Sequence, residues 1–548
     1  MADLSGIVNA ERDSDDDTFA TTTEASDDGN PVDEDLSVTR PVAPGDQRPK
    51  GNVPSWYSYY CKKFLTADEM DEVGIKNIEL FFDPIHALVI EDVIAEKIGH
   101  EEWKATKERD AAKMKTRRFL DYSYLLNAHM LTPEKTKNMI FVEHIWIVNP
   151  TSTKTKNAIE ILQYERTGHK KKGEIKKEDT DLMFNNIKSF LTSDILGDIF
   201  DTKNIIAFDD GVLDMSRFER GLRNGRPSDF VTTSIKYKIR FEPSRQMQLE
   251  LSELLRYLFP DDELRDYFLL HMSSCLDSGN LDKLFVIWFG MGNNGKSVLE
   301  SLVEHTFGSY CYKAPTSLFS SRRTGSSAAT PETANFNKTL ISFIQESDSR
   351  ENMNIGVLKE MTGNDTIYTR NLYETPKTIE VRCKFILVTN KIYNLSQADE
   401  ATWARIRVIP FLSKFTNDET EVDEEKNIFR MDSKYVKRVR ILAPYFMQLL
   451  METYPRYRAN GLPSCRLVNE HTSSLKRLNS PVALFVEDDL IKGKENSVRF
   501  QEAYEAYRLY ARNNCGMRNV TAANFEVSLS KIGIDVVEGN IIGYCLRE

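Results

Sequence analysis

The run Gly290-Met291-Gly292-Asn293-Asn294-Gly295-Lys296-Ser297 constrains this chain more than any other feature. It fits the pattern G-x-x-x-x-G-K-[ST]. The apolar segment Leu284–Phe289 precedes it at strand length. Behind it, Val298, Leu299, Leu302 and Val303 recur at helical spacing as far as Gly308. A strand, a glycine-rich turn and a helix in that order make a phosphate cradle. The glycines let backbone N–H groups curl round a β-phosphate, and the helix N-terminus adds a favourable field. Lys296 is expected to neutralise β- and γ-phosphate charge, and the Ser297 hydroxyl to ligate Mg²⁺. The eight residues Gly290 to Ser297 form the expected ATP site.

Other short apolar runs follow: Leu340–Ile344, Phe385–Val388 and Val408–Phe411. With helices between them they predict a mostly parallel sheet buried on both faces. The first of these runs leads into Gln345-Glu346-Ser347-Asp348. Glu346 is the leading candidate to hold Mg²⁺ through water or to polarise an attacking water, with Asp348 second. The second run leads through Thr389 to Asn390, an amide placed to hold the lytic water and sense a γ-phosphate; a plain turn-forming Asn is the competing reading. Arg405 and Arg407 alternate with apolar residues before the third run. One of them can reach a γ-phosphate on a neighbouring subunit as an arginine finger. A salt-bridged structural arginine is the alternative, more so for Arg407.

The net charge of −11 is concentrated at one end. Residues 1–50 carry thirteen acids and four bases, which leaves −2 for residues 51–548. That first segment is rich in Asp, Ser, Thr, Pro and Gly and holds too little apolar surface to offset ordering entropy, so a disordered acidic tail is predicted. Any nucleic-acid surface must be a local basic patch. Candidates are the helix predicted over Glu102–Leu120, with seven bases, and the loop Lys170–Lys177 around Gly173; a solvated helix face and a solvated loop are the alternatives. No apolar run approaches the length of a membrane span, and the first ten residues lack the pattern of a secretory signal. Seven cysteines without a C-x-x-C pair point away from a disulfide framework or zinc finger. An intracellular, soluble, reducing setting is expected.

Further strands are predicted at Asn77–Phe82 and Met139–Val148, and helices across 246–280 with a break at Pro260. Near the C-terminus, helices are predicted at Phe485–Leu490, Phe500–Arg512 and Ala522–Ile532, the last capped by Thr521. A hairpin turning at Glu538-Gly539-Asn540 completes a winged-helix-like pattern. Its third helix carries little positive charge beyond Lys531, which weighs against DNA reading and leaves a protein-docking or structural role at least as open.

The order of these motifs resembles a superfamily 3 helicase, and more closely the poxvirus-type primase–helicase family of large DNA viruses and phages. Gly290–Ser297 resembles that family's G-x-G-x-N-G-K-S form. Leu358–Asp365 with Arg370 resembles its K-x-x-T-G-x-D…R segment, and Thr389-Asn390 its T-N motif. Trp403–Phe411 resembles its W-x-R-I-x-x-x-P-F ending, and Ile205–Asp214 with Pro227-Ser228-Asp229 its N-terminal helicase-associated domain. Two departures stand out. The family's acidic pair is Gln345-Glu346 here, and its arginine pair is Ala404-Arg405.

The resemblance implies a modified AAA+ core in a homo-hexameric ring around one DNA strand, with ATP between subunits. It implies a channel hairpin ahead of Asn390. Thr366–Leu372 and Thr378–Lys384 fit its strands, with a turn at Glu374–Lys377. Lys377 at the tip and Lys359 on the preceding segment are the DNA-phosphate candidates, with surface solubility as the alternative.

The expected architecture is α/β, a P-loop parallel-sheet ATPase core at 281–415. It is preceded by the tail 1–50, an α+β helicase-associated domain at 51–245 and a helical collar at 246–280. A helical segment 416–480 and a winged-helix-like domain 481–548 follow it. The expected function is ATP-dependent replicative DNA unwinding at a site of viral DNA replication, with Mg²⁺ as cofactor, a primase or polymerase as partner, and no membrane. The rival is a ring ATPase that remodels protein or loads replication factors without unwinding. Residues 51–190 show no D-x-D at a strand end, where a primase would place its metal-binding acids, and no H-x-H nicking motif occurs.

Overall fold

The computed structural model describes residues 55–66, 84–113, 130–134, 137–148, 200–315, 317–320, 332–345, 353–370, 377–391, 395, 398–514, 517 and 519–547. The acidic segment 1–50, the expected strand Asn77–Phe82, the basic loop around Gly173, the hairpin tip 371–376 and Glu346 lie outside them. The described residues divide into two compact units. One draws on 1–142, 146–200 and 226–230, the other on 143–145, 201–225 and 231–548. Among the described residues, no helix is long and apolar enough to cross a membrane.

In the first unit, helices run over Ser55–Phe64, Pro84–Ile98 and His100–Lys113. Trp103 packs edge-on against Tyr60, with ring centroids 5.0 Å apart. The single strand expected over Met139–Val148 is two strands, Lys137–Val142 and Ile145–Val148. The polar pair Glu143-His144 interrupts the apolar run, and Glu143 takes φ 57° to reverse the chain. Trp146 is fully buried and donates its indole N–H to the Pro227 carbonyl at 2.8 Å.

The second unit holds a five-stranded parallel sheet. Its elements begin with helices α1 (Arg245–Leu258) and α2 (Asp262–Ser274). The Asp261 carboxylate caps α2 by accepting from the Leu264 N–H. Strand β1 (Phe285–Phe289) and helix α3 (Lys296–Phe307) follow, then β2 (Cys311–Ala314), β3 (Ile341–Gln345) and helix α4 (Ile355–Thr362). Strands β4 (Lys384–Thr389) and β5 (Ile406–Pro410) complete the sheet. Helices α5 (Lys434–Asn460) and α6 (Arg466–Leu478) come after it.

The strand order is β5-β1-β4-β3-β2, with every neighbouring pair parallel. Successive side chains of a strand point to opposite faces, and each face has its own core. Val286, Trp288, Phe343, Ile386 and Ile409 pack with α1, α2, α3 and α5. Phe285, Ile287, Ile344, Phe385 and Val408 pack with α4. Burial on both faces explains why these strands read as unbroken apolar runs. The chain leaves β1 for the β2 edge and returns to β5 on its other side. β1 is thus the switch point, where open α/β sheets leave a crevice beyond the strand ends.

Three local expectations shift. The return strand of the hairpin is Lys377–Glu380, paired with Thr366–Thr369, so Lys377 stands opposite Thr369 as its first rung and not in the turn. Lys384 is not part of that hairpin; it opens β4 and is buried. Residues 414–430 hold no α-helix: Lys414–Thr416 and Ile428–Arg430 form a short parallel pair, with single 3₁₀ turns at Glu419–Glu421 and Glu424–Lys426 between them, and α-helix begins only at α5.

The C-terminal part of this unit has three helices, Pro481–Asp489, Phe500–Asn514 and Ala522–Lys531, the last capped by Thr521. They pack round Phe485, Tyr507 and Phe525, the last two rings stacked 4.5 Å apart. The hairpin of Val536–Val537 and Asn540–Leu546 is joined by a strand not foreseen, Leu490–Arg499, against Asn540–Leu546. Only Leu490 and Val498 are buried along it, so it carries no apolar alternation to read.

Candidate functional site

The turn between β1 and α3 is shaped by its glycines. Gly292 has φ 97° and Gly295 has φ 77°, backbone that favours glycine. Space above Gly292 is open, whereas a Cβ on Gly295 would run into Leu258 and Phe415. Gly295 is also the N-cap of α3 and offers it no side-chain cap, so the N-terminal end of the helix faces the turn without a capping side chain. The chain beyond β5 braces the turn. The Phe411 N–H donates to the Phe289 carbonyl and the Phe415 N–H to the Asn293 carbonyl, both at 2.7 Å.

Lys296 is buried, 6% exposed. Its ammonium donates to the Gly290 carbonyl at 2.8 Å, the Asn294 side-chain oxygen at 3.0 Å and the Asn390 side-chain oxygen at 2.6 Å. β1 and β4 are in register, Phe289 beside Thr389. The turn and Asn390 therefore leave adjacent strand ends on the same edge of the sheet, which is why residues so distant in sequence meet. The Asn294 amide nitrogen is buried and has no hydrogen-bond partner. A buried donor left unsatisfied costs about 1–3 kcal/mol, and an anion seated in the turn would satisfy it. Ser297 lies exposed on the first turn of α3.

A cavity of about 930 Å³ opens from this turn. Gly292–Val298, Val388–Asn390, Tyr257, Phe415, Phe429 and Tyr435 are among its lining residues, and the Phe415 ring lies against Gly295. The Glu253 carboxylate accepts from the Tyr435 hydroxyl at 2.7 Å and from the Tyr257 hydroxyl at 3.3 Å. The Tyr435 hydrogen bond holds Glu253 below the usual carboxylate range. Burial, then the Glu253 charge, pushes the Tyr257 phenol up. None of these four aromatic residues was foreseen; they stand 30 residues or more from the turn on other elements, and only the folded chain gathers them.

The remaining sequence candidates sit elsewhere. Arg405 lies at the opposite end of β1 from the turn, since its carbonyl accepts the Phe285 N–H at 2.7 Å. Four residues of strand separate the two ends, about 13 Å. Its guanidinium donates to the Lys359 carbonyl at 2.8 Å and the Thr362 hydroxyl at 3.0 Å. Arg407 donates to the Ala404 and Ile406 carbonyls. The Lys359 ammonium bonds Asp399 at 2.7 Å and holds that carboxyl well below its usual range. Asp399 in turn caps the short helix Glu400–Trp403. Lys296 and Asn390 are thus brought together, and Lys359 and Arg405 are brought together at the far end of the sheet. Lys377 stands on the separate hairpin, and Glu346 lies outside the described residues. Among the described residues, no group of three or more His, Cys, Asp or Glu is arranged to hold a metal.

Similarity to known proteins converges on one group. The chain is 30% identical over 363 residues to "Putative helicase 184R" of Invertebrate iridescent virus 6, covering 61% of this chain and 37% of that protein. It is 29% identical over 320 residues to "Putative helicase L207/L206" of Acanthamoeba polyphaga mimivirus, covering 57% and 33%. This chain is a homologue of proteins of large DNA viruses that carry helicase names. It is also 21% identical over 303 residues to "Putative primase C962R" of African swine fever virus, covering 53% and 31%. The matches span about a third of the length of these relatives. Residues 288–405, from β1 to the start of β5, match a family of unknown function, DUF5906. The C-terminal region of NrS-1 aligns at a TM-score of 0.38 with 12% identity, covering 78% of this chain and 99% of that one, too loose a likeness to fix the fold.

Proposed function

We propose that this chain hydrolyses ATP at the Gly290–Ser297 turn and uses the energy to unwind DNA during replication of a large DNA virus, as a superfamily 3 helicase. The observation that carries the reading is the meeting of Lys296 with Asn390 at the switch point of the parallel sheet, beside an uncapped helix N-terminus. The buried, unpartnered Asn294 amide and the open space above Gly292 fit an anion there. The names of the homologues supply the nucleic-acid part.

On this reading a triphosphate draws the Lys296 ammonium from its three oxygen acceptors onto the β- and γ-phosphate oxygens. The N–H groups at the start of α3 hold the β-phosphate. Asn390, released from Lys296, orients the attacking water against the γ-phosphate. Ser297 and Glu346 would hold Mg²⁺, which supplies charge neutralisation between the phosphates. Arg405 is the finger candidate for a neighbouring subunit of a hexamer, and reaches it only by leaving Lys359 and Thr362. Lys359 and Lys377 are the candidates for the DNA backbone of a strand in the ring, with a primase or polymerase as partner.

The test is ATP-dependent unwinding of a forked DNA duplex, with Lys296→Ala alongside. Unwinding by the native chain and none by the variant carries the proposal. ATP turnover that is neither stimulated by DNA nor coupled to unwinding overturns it, in favour of a ring that remodels protein.

A further inference from the structure

A triphosphate seated in the turn would fill only part of the cavity. At about 930 Å³ the cavity lies in the range of sites that bury a whole small-molecule ligand. Part of its lining is aromatic. The Tyr257 and Phe429 rings lie 4.9 Å apart at 45°, and Phe415 lies 6.1 Å from Phe429 at 40°. Phe429 is buried, whereas Tyr257 and Phe415 are half-buried and face the cavity. Three elements supply these rings: α1 and the two short parallel strands beyond β5. Phe415 is fixed to the phosphate turn by its N–H bond to Asn293 and by its ring against Gly295. The aromatic wall and the turn are therefore parts of one rigid construction. Three carboxylates, Glu253, Glu424 and Asp432, stand at the rim with the cations Arg430 and Lys434, and Lys434 lies 3.5 Å from Glu253. The two signs offset, so charge alone selects no ligand there, and the carboxylates still offer acceptor oxygens. They accept from N–H groups, which suits the polar edge of a nucleobase.

We propose that Tyr257, Phe415 and Phe429 form the base subsite of the nucleotide pocket. The flat face of a purine stacks on Tyr257 and Phe415, with its N–H edge towards the rim carboxylates. The inference rests on the phosphate reading of the turn and adds the ligand class to it. Purine nucleotides are held more tightly than pyrimidine nucleotides, because a bicyclic base covers more of the aromatic wall.

Binding of ATP, UTP and inorganic triphosphate, each with Mg²⁺, separates the two parts of the pocket in the full chain. Inorganic triphosphate probes the turn without a base. The native protein should bind ATP at least tenfold more tightly than triphosphate, with UTP between them. Tyr257→Leu and Phe415→Leu should each weaken ATP about tenfold, the scale of one lost stacking contact, and leave triphosphate unchanged. Tyr257→Phe should keep the ATP affinity, and melting temperatures confirm that each variant is folded. Equal affinity of the native chain for ATP and triphosphate overturns the base subsite while leaving the phosphate site standing. So does an equal loss of both ligands in the leucine variants, which would make the rings supports for the turn. Failure of the native chain to bind either ligand removes the phosphate reading and this inference with it.

Discussion

Lys296 and Asn390 are 94 residues apart in the chain and 2.6 Å apart in space. The contact ties the phosphate turn after β1 to the tip of the neighbouring strand. It makes the two residues separable by kinetics. Lys296→Ala removes the cation from the turn, so ATP binding and turnover should both be lost. Asn390→Ala leaves the turn intact. ATP affinity should stay within about threefold, while turnover falls about 10²- to 10³-fold, the usual cost of one lost transition-state hydrogen bond. Parallel binding titrations and steady-state ATPase rates check this.

Two glycines of the same turn should respond differently. Gly295→Ala forces a side chain onto Leu258 and Phe415 at φ 77°. It should cost about 1–3 kcal/mol of stability and at least tenfold in ATP affinity. Gly292→Ala meets nothing within 4 Å. It should cost only the backbone preference, about 1 kcal/mol. Melting temperatures and ATP titrations of the two variants give the comparison.

Arg405 connects the start of β5 to α4 through Lys359 and Thr362. Arg405→Ala leaves both acceptors without their charged donor, at a cost of about 1.5–3 kcal/mol. The expected outcome is a melting temperature lowered by several degrees, with part of it recovered in Arg405→Lys. Loss of ATPase activity at unchanged melting temperature would instead mark Arg405 as a group that acts on phosphate.

His271, fully buried in α2, should make the protein acid-sensitive. Burial lowers its pKa to about 3, and its Nδ1 has no hydrogen-bond partner. In the unfolded chain the imidazole takes a proton near pH 6.5, and in the folded chain only near pH 3. Between those values the unfolded state binds the extra proton, so stability falls as pH drops below about 6.5, by at most ~1.4 kcal/mol per pH unit. Asp92 acts in the opposite sense. Burial raises its pKa to about 7, so its contribution is lost as pH rises towards 7. That contribution is common to the native chain and a His271→Leu variant. The difference in melting temperature between them should therefore shift in favour of the variant from pH 6.5 to pH 5.

What could be read from the sequence follows from how each element is buried. Strands β1, β3, β4 and β5 are buried on both faces, so Phe285–Phe289 and its neighbours stand out as apolar runs. The strand Leu490–Arg499 is exposed along most of its length and leaves no such trace. Gly290–Ser297 is contiguous, so its shape was legible. Tyr257, Phe415 and Phe429 belong to the same cavity and come from three separate segments, each unremarkable by itself. The Lys359 partner Asp399 is 40 residues further on, and no local pattern links a lysine to so distant an acid.

Helix α5 begins at the cavity, where Lys434, Tyr435 and Val436 form part of its wall. It continues without interruption for 27 residues, through Pro444 and Pro455, and packs against α1, α2 and α3. At about 1.5 Å per residue it is a rod of about 40 Å. Both ends are held, the near one at the cavity wall and the far one where Arg456 pairs with Asp266 and the Tyr457 hydroxyl donates to Asp282 at 2.9 Å. The wall of the cavity and the residue at which the chain turns towards α6 thus belong to one rod braced along its whole length.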